Sequence, residues 1–227
     1  MKIAILGGSF NPLHNGHAMV AESVIKELGY DKVIFIPTCM PPHKEIKSLG
    51  ATTEQRLEMV KVFCRAEGES FERNCNNPFL FDSCEIDRGG VSYTYDTLKY
   101  ITEKYKDIID GKPGLIMGEE IAAEFHKWNH PELIAQMADL IIVPRLPDYS
   151  KMVKSDGDSN CPTGQYKGDF GVAFDSEKFG YDFKMISEPV LTVSSTDIRK
   201  RIKAGKSFKY LVPSSIFEYI EHNKLYR

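Results

Sequence analysis

Cysteine, long apolar runs and an excess of charge of either sign are all scarce in this chain of 227 residues. The five cysteines, Cys39, Cys64, Cys75, Cys84 and Cys161, form no C-x-x-C pair and leave one over if the others join. A disulfide framework is not expected, and free thiols are. No zinc site is expected either, because the cysteines and histidines do not assemble a ligand set at the usual spacings. After Met1 and Lys2 only four apolar residues precede Gly7, too few for a signal-peptide core. No apolar run nears the roughly 20 residues of a membrane span. With 29 basic against 32 acidic residues the net charge is −3, which suits neither a general nucleic-acid binder nor a membrane-surface protein. A cytoplasmic globular protein is the expectation. The length suits one domain over residues 1–227 with a substantial insertion, and 42% hydrophobic residues suffice for its core.

What is present alternates. "KIAIL" is a short apolar strand, and in the following "GHAMVAESVIKELG" Met19, Val20, Val24, Ile25 and Leu28 share one helical face before Gly29 stops the helix. "KVIFIP" is a second buried strand, and "TEQRLEMVKVFCRAE" a helix capped by Thr52 or Thr53. "FLFDSCEID" reads as a strand, and "YTYDTLKYITEKY" as a helix begun at Ser92 or Thr94. "GLIMG" reads as a strand, "EEIAAEFHKW" as a helix and "DLIIVP" as a strand. This order predicts an open, mostly parallel, Rossmann-like α/β sheet with helices on both faces and its ligand site at the carboxyl ends of the strands. Residues 146–184 form an irregular insertion rich in Gly, Asp, Ser and Lys, and both disorder and a partly packed lid or contact segment stay open for it. Residues 194–227 return to a C-terminal helical segment: "SSTDIRKRIKAG", closed by Gly205, and "PSSIFEYIEHNKLY", begun by Pro213 with a Ser215–Glu218 capping box.

Chemistry concentrates in a few stretches. In "GGSFNPLHNGH", residues 7–17, the glycines let backbone approach a ligand, and the next helix offers unpaired N–H groups and a positive dipole end. The stretch is neither a dinucleotide fingerprint nor a P-loop. His14 and His17 lack the carboxylate or thiolate that would complete a metal set, so hydrogen bonds to phosphate fit them better than a metal does. The bland alternative is one capping and one surface histidine. Ser194, Ser195 and Thr196 open the late helix with Arg199 three residues on, which makes an oligophosphate grip, although capping alone explains any one hydroxyl. "PPHK" (residues 41–44) could hold His43 and Lys44 over the sheet edge. "SYTYDTL" adds a hydroxyl-rich helix start, and Trp128 is either core or a stacking platform. Phosphate-binding features without a nucleophile, base or metal cluster point to phosphoryl or nucleotidyl transfer, in which the protein positions reactants and neutralises charge.

These residues carry a resemblance. "GGSFNPLHNGH" and "SSTDIR" resemble the two signatures of the HxGH nucleotidyltransferase superfamily. "PPHK", "SYTYDTL", the segment from Gly118 to Trp128 and the ending "LVPSSIFEYIEHNKLY" are similar to the bacterial nicotinate mononucleotide adenylyltransferase family. The similarity spans residues 2–226 apart from the stretch after Arg145. It implies that ATP and nicotinate mononucleotide give nicotinate adenine dinucleotide and pyrophosphate, a step toward NAD, with Mg2+ arriving on the ATP. By motif position it implies that His14 and His17 bind the ATP phosphates and stabilise the transition state. Gly8, Ser9 and Phe10 shape the nucleotide loop, Ser194, Ser195, Thr196 and Arg199 hold phosphates, and Gly118 and Glu120 lie toward the ATP ribose. His43, Lys44 and Arg145 face the phosphates or the mononucleotide, while Tyr93, Thr94 and Trp128 take the nicotinate. The chain departs from the family pattern at Asn11, at Cys39-Met40 and at Glu120, where an aspartate, an asparagine and a shorter carboxylate are usual. Nicotinamide mononucleotide or a phosphopantetheine-type acceptor is the rival within the superfamily. A non-catalytic nucleotide sensor is the rival from another class, and no nucleic acid or membrane partner is implied. Oligomeric state is open, a homodimer included.

Overall fold

Every residue of "KIAIL" after Lys2 is apolar, so a strand built from it must be covered on both faces. In the computed structural model, which describes residues 1–40, 50–71, 77–144, 174–187, 191 and 193–227, it is. β1 (Ile3–Gly8) lies inside a six-stranded sheet with β2 (Lys32–Pro37) and β3 (Phe79–Phe81) on one side. On the other side lie β4 (Gly114–Gly118), β5 (Asp139–Val143) and β6 (Phe183–Met185). The order is β3-β2-β1-β4-β5-β6 and every pairing is parallel. The chain therefore runs outward from β1 twice, in opposite directions. The reversal leaves a crevice at the carboxyl ends of β1 and β4, where ligands of open α/β sheets bind.

Alternation along the strands feeds two cores. Ala4 and Leu6 join Val33, Phe35, Ile116 and Ile141 against α1 (Asn15–Leu28), α2 (Thr53–Phe71) and the late helices. Those late helices, α7 (Ser195–Lys203) and α8 (Ser214–His222), contribute Ile198, Ile202, Ile216 and Ile220. Ile3 and Ile5 join Ile34, Ile36, Leu115 and Leu140 on the opposite face. There α4 (Thr94–Lys104), α5 (Glu119–Ala122) and α6 (Pro131–Met137) add Leu98, Ile101, Ala122 and Ile134. Each such side chain contributes roughly 1.5–3 kcal/mol when fully buried, so both layers are needed to hold the sheet. No helix among the described residues is long and apolar enough to cross a membrane.

The elements differ from the sequence expectation in five places. "FLFDSCEID" is a strand only over its first three residues. Asp82 Oδ1 then accepts the Cys84 N–H at 2.9 Å and turns the chain into the short helix α3 (Cys84–Arg88). "EEIAAEFHKW" is broken: α5 ends at Ala122, and a 3-10 turn (Phe125–Lys127) aims Phe125 into the core instead of continuing the helix. Tyr93, not Ser92 or Thr94, is the N-cap of α4. The Ser215–Glu218 capping box is not formed, because Pro213 is the N-cap of α8 and Ser215 Oγ is buried without a hydrogen-bond partner among the described residues. Finally α6 and β6 were not foreseen. β6 has three residues and takes its regularity from pairing with β5. Thr52 does cap α2, exchanging hydrogen bonds with Gln55 in both directions, and Gly29 closes α1 in the left-handed conformation.

Candidate active site

The stretch of residues 7–17 crosses from the end of β1 to the first turn of α1, at the crevice. In parallel register β1 and β4 pair only from Ala4–Gly114 to Leu6–Ile116, so Gly8 and Gly118 follow at the same end of the sheet beyond the last paired residues. A Cβ on Gly7 would meet nothing within 4 Å, so this position borders open space. One on Gly8 would stand 3.2 Å from the Phe10 ring, so here the glycine accommodates packing. Phe10 takes a positive φ of 44° and is buried. Its ring lies 5.0 Å from His17 edge-on and 5.7 Å from Phe35, which holds the loop onto the core. This strained residue is the hinge on which the loop turns back toward α1.

The two imidazoles stack at 3.7 Å between centroids, 22° from parallel. Gly16 permits this, since a Cβ there would be 3.1 Å from the His14 ring. His14 is buried and is the N-cap of α1, and its N–H donates to His17 Nδ1 at 3.2 Å. In a neutral His17 that acceptor role at Nδ1 leaves the proton on Nε2, making Nε2 a donor suited to a phosphate oxygen. The first turn of α1 carries no acidic side chain, so the positive end of its dipole is not offset there.

α7 docks on this loop from the far end of the chain. Ser194 is its N-cap: the hydroxyl accepts from the Asp197 N–H at 3.1 Å and donates to the Asp197 carboxylate at 2.7 Å. Ser195 Oγ donates to the Pro12 carbonyl at 2.9 Å. Arg199 donates through Nη1 to the Asn11 carbonyl at 2.7 Å and through Nη2 to Thr196 Oγ1 at 3.2 Å. Tyr226 Oη donates to Asn11 Oδ1 at 2.7 Å, and Asn15 Nδ2 to the Tyr210 carbonyl at 2.9 Å. The sequence motif thus brings the Ser195 hydroxyl and the Arg199 guanidinium to the histidine loop, where they draw two of its carbonyl oxygens onto protein donors.

Of the remaining expected residues, those described sit at the starts of α4 and α5 and at the end of the 3-10 turn. Met40 forms a parallel bridge with Val91, which brings the segment after β2 beside the one that leads into α4. Tyr93 is exposed at the N-cap of α4 and Thr94 is its first residue. Gly118 is the N-cap of α5, and a Cβ on it would stand 3.2 Å from the Glu120 carboxylate. Trp128 ends the 3-10 turn half-buried, 5.2 Å from Phe125, so it packs on the core and keeps part of its ring at the surface. His43, Lys44 and Arg145 lie outside the described residues. No group of three or more metal-ligating side chains is present among the described residues.

Two buried charged residues here were missed. Arg56, in the first turn of α2, is fully buried. Its guanidinium donates to the carbonyls of Ser9 (2.9 Å), Thr38 (2.7 Å) and Cys39 (3.1 Å) and to Thr53 Oγ1 (3.3 Å). Burial lowers its pKa, though an arginine stays charged throughout the ordinary range. Glu85 in α3 is buried too, accepts from Thr97 Oγ1 at 2.8 Å, and has its pKa raised by that burial. The signal for Arg56 was in the sequence: with Met59, Val60 and Phe63 it stands at i, i+3, i+4 and i+7 on the apolar stripe of α2.

The chain matches the cytidylyltransferase-like family over residues 5–201. It is 35% identical over 226 residues to a probable nicotinate-nucleotide adenylyltransferase of Borrelia garinii subsp. bavariensis, covering 100% of this chain and 95% of that one. It is 33% identical to a protein of the same description from Treponema pallidum, covering 100% of both. Among solved structures, the nicotinic acid mononucleotide adenylyltransferase of Plasmodium falciparum complexed with NaAD superposes with a TM-score of 0.70. That match covers 99% of this chain and 97% of the other, and its 18% identity speaks for the fold. On this full-length similarity the chain belongs to the nicotinate-nucleotide adenylyltransferase family, within the cytidylyltransferase-like proteins.

Proposed function

We propose that this chain transfers the adenylyl group of ATP to nicotinate mononucleotide, forming nicotinate adenine dinucleotide and pyrophosphate in the route to NAD. The observation that carries the reading is the stacked His14–His17 pair at the start of α1, closed over by the start of α7 at the β1/β4 crevice. In the reaction a phosphate oxygen of the mononucleotide attacks the α-phosphorus, a new P–O bond forms, and the bond to the bridging α–β oxygen breaks. Pyrophosphate leaves with that electron pair. No side chain needs to become a nucleophile, so the protein's task is alignment and charge stabilisation.

In this reading His17 Nε2–H and His14 bear on the ATP phosphates, together with the N-terminal amides of α1. Ser195 and Arg199 shape that cradle by turning the carbonyls of Asn11 and Pro12 away from it. Ser194 and Thr196 set the start of α7, and Gly8, Ser9 and Phe10 set the loop. Gly118 and Glu120 flank the ATP ribose, while Tyr93, Thr94 and Trp128 receive the nicotinate ring and carboxylate. His43, Lys44 and Arg145 complete the acceptor side. In this reading Mg2+ arrives on the triphosphate. Magnesium so delivered would offset charge on the departing pyrophosphate. A cytoplasmic setting agrees with the free thiols of Cys39, Cys64 and Cys84.

The test is pyrophosphate release with Mg-ATP. Turnover is expected with nicotinate mononucleotide, less with the amide, and none with phosphopantetheine. No turnover with any mononucleotide would sink the reading. His17→Ala should cost about 2.7–4 kcal/mol of transition-state stabilisation, roughly 10²–10³ in kcat, as when one key electrostatic donor is removed. Near-normal turnover by that variant would remove His17 from the cradle.

A further inference from the structure

Neither Arg56 nor Glu85 is required by the chemistry above, yet both are buried beside it and both converge on the end of β2. Thr38 is the junction. Its N–H donates to the Gly8 carbonyl at 2.9 Å, its own carbonyl accepts from Arg56 at 2.7 Å, and its side chain lies close enough to Glu85 to pull that carboxyl's pKa down against burial. Arg56 reaches from the same guanidinium nitrogen to the Ser9 carbonyl, inside the nucleotide loop. Glu85 holds Thr97, in the first turn of α4, whose first residue is Thr94. A row of contacts therefore runs from the partly exposed Ser9 through the buried Arg56, the partly exposed Thr38 and the buried Glu85 to Thr97. One end is the loop read as holding ATP, and the other is the helix start read as receiving the mononucleotide.

We propose that Arg56 and Glu85 are positioning residues which fix the spacing between the ATP loop and the acceptor helix, so that the attacking phosphate meets the α-phosphorus in line. The inference rests on the adenylyl-transfer reading. Its physical basis is the steep dependence of group transfer on alignment, where a displacement of about 1 Å costs on the order of 10²-fold. A guanidinium suits the task because its planar fork can hold several carbonyls at fixed angles, which a flexible ammonium does not do. The hydrogen bonds of Arg56 go to uncharged oxygens of three segments, so the group ties loops together where an ion pair would tie only one partner.

The experiment is steady-state kinetics of wild type, Arg56→Lys, Glu85→Ala, Glu85→Gln and Thr97→Val, normalised to folded protein by near-UV circular dichroism. Arg56→Lys and Glu85→Ala should each lose on the order of tenfold or more in kcat, with KM for ATP and for the mononucleotide both within about threefold. Glu85→Gln, which keeps an acceptor for the Thr97 hydroxyl, should regain most of what Glu85→Ala loses. The double variant Arg56→Lys/Glu85→Ala should lose less than the product of the single losses, as expected of one row. If folded Arg56→Lys and Glu85→Ala keep kcat within threefold of wild type, the proposal is wrong. A rise in one KM with kcat unchanged also overturns it, because the residue would then serve a single half-site. Should Arg56→Lys fail to fold, Glu85→Ala and Thr97→Val decide by the same criteria. A wild type that does not turn over the mononucleotide counts against the reading of function, and the inference falls with it. An active wild type with unaffected variants counts against the inference alone.

Discussion

Glu85 shows how burial changes what a side chain does. Its carboxyl pKa is raised, first by desolvation, against the opposing pull of the Thr97 hydroxyl, Arg88 and the Thr38 side chain. A carboxyl whose folded pKa lies above its unfolded value of about 4.5 stabilises the fold most when protonated. That contribution is complete below the unfolded pKa and is lost as pH rises through the folded one. Glu85→Gln cannot titrate, so the stability of wild type relative to this variant should fall as pH is raised from about 4 across that window. Urea denaturation at a series of pH values measures it, and parallel stability curves would refute the assignment. Residue by residue, the sequence was legible where chemistry and motif coincide: His14, His17, Ser195 and Arg199 do meet at one loop. Arg56 announces itself only by its place on the stripe of Met59, Val60 and Phe63, and Glu85 not at all, because its burial depends on the turn at Asp82 and on Thr97, twelve residues on.

Between elements, the bonds that matter join parts of the chain far apart in sequence. Tyr226 follows α8, is buried, and donates to Asn11 across 215 residues. Its ring also lies where a Cβ on Gly50 would stand, at 2.9 Å, and Gly50 has a φ of 81° that other residues rarely adopt. Tyr226→Phe keeps the ring and removes one buried hydrogen bond, so it should cost about 1 kcal/mol, read from the urea midpoint at unchanged slope. A loss below about 0.3 kcal/mol would mean that the Asn11 side chain is held by other contacts. Strands and long helices were readable because a parallel strand with two covered faces has a plain apolar run. The short pieces were not. In "FLFDSCEID" Cys84 and Ile86 suggest a strand that goes on past Phe81, but the Asp82 side chain captures the Cys84 N–H and the backbone turns helical. In "EEIAAEFHKW" the core draws in Phe125 at an angle that a straight helix from Glu119 would not supply.

For the molecule as a whole, a ligand that binds the crevice between β1 and β4 and not the unfolded chain should stabilise the entire fold. Ligand at about 100 times its Kd adds roughly 2.7 kcal/mol. For a chain of this size that corresponds to a rise in Tm of roughly 5–10 °C. Mg-ATP should produce such a shift, and magnesium chloride alone at the same concentration should not. A specific shift with the metal alone would reveal a resident site. The layout of an open parallel sheet covered by helices was readable from the order of apolar runs, while α6 and the edge strand β6 were not. The closure of residues 11–15 by residues 195–226 was visible only as two motifs in one chain, with no hint of which groups face each other. That closure also has a consequence in time. Ribosomes add about 5–20 residues per second, so Asn11 waits some 10–40 s for the 215 residues that separate it from Tyr226. The first strand and its histidines leave the ribosome early, but their loop acquires its last fixed contact only when synthesis has passed Tyr226. The nucleotide loop is thus among the first parts of the chain to be made and among the last to be fixed in place.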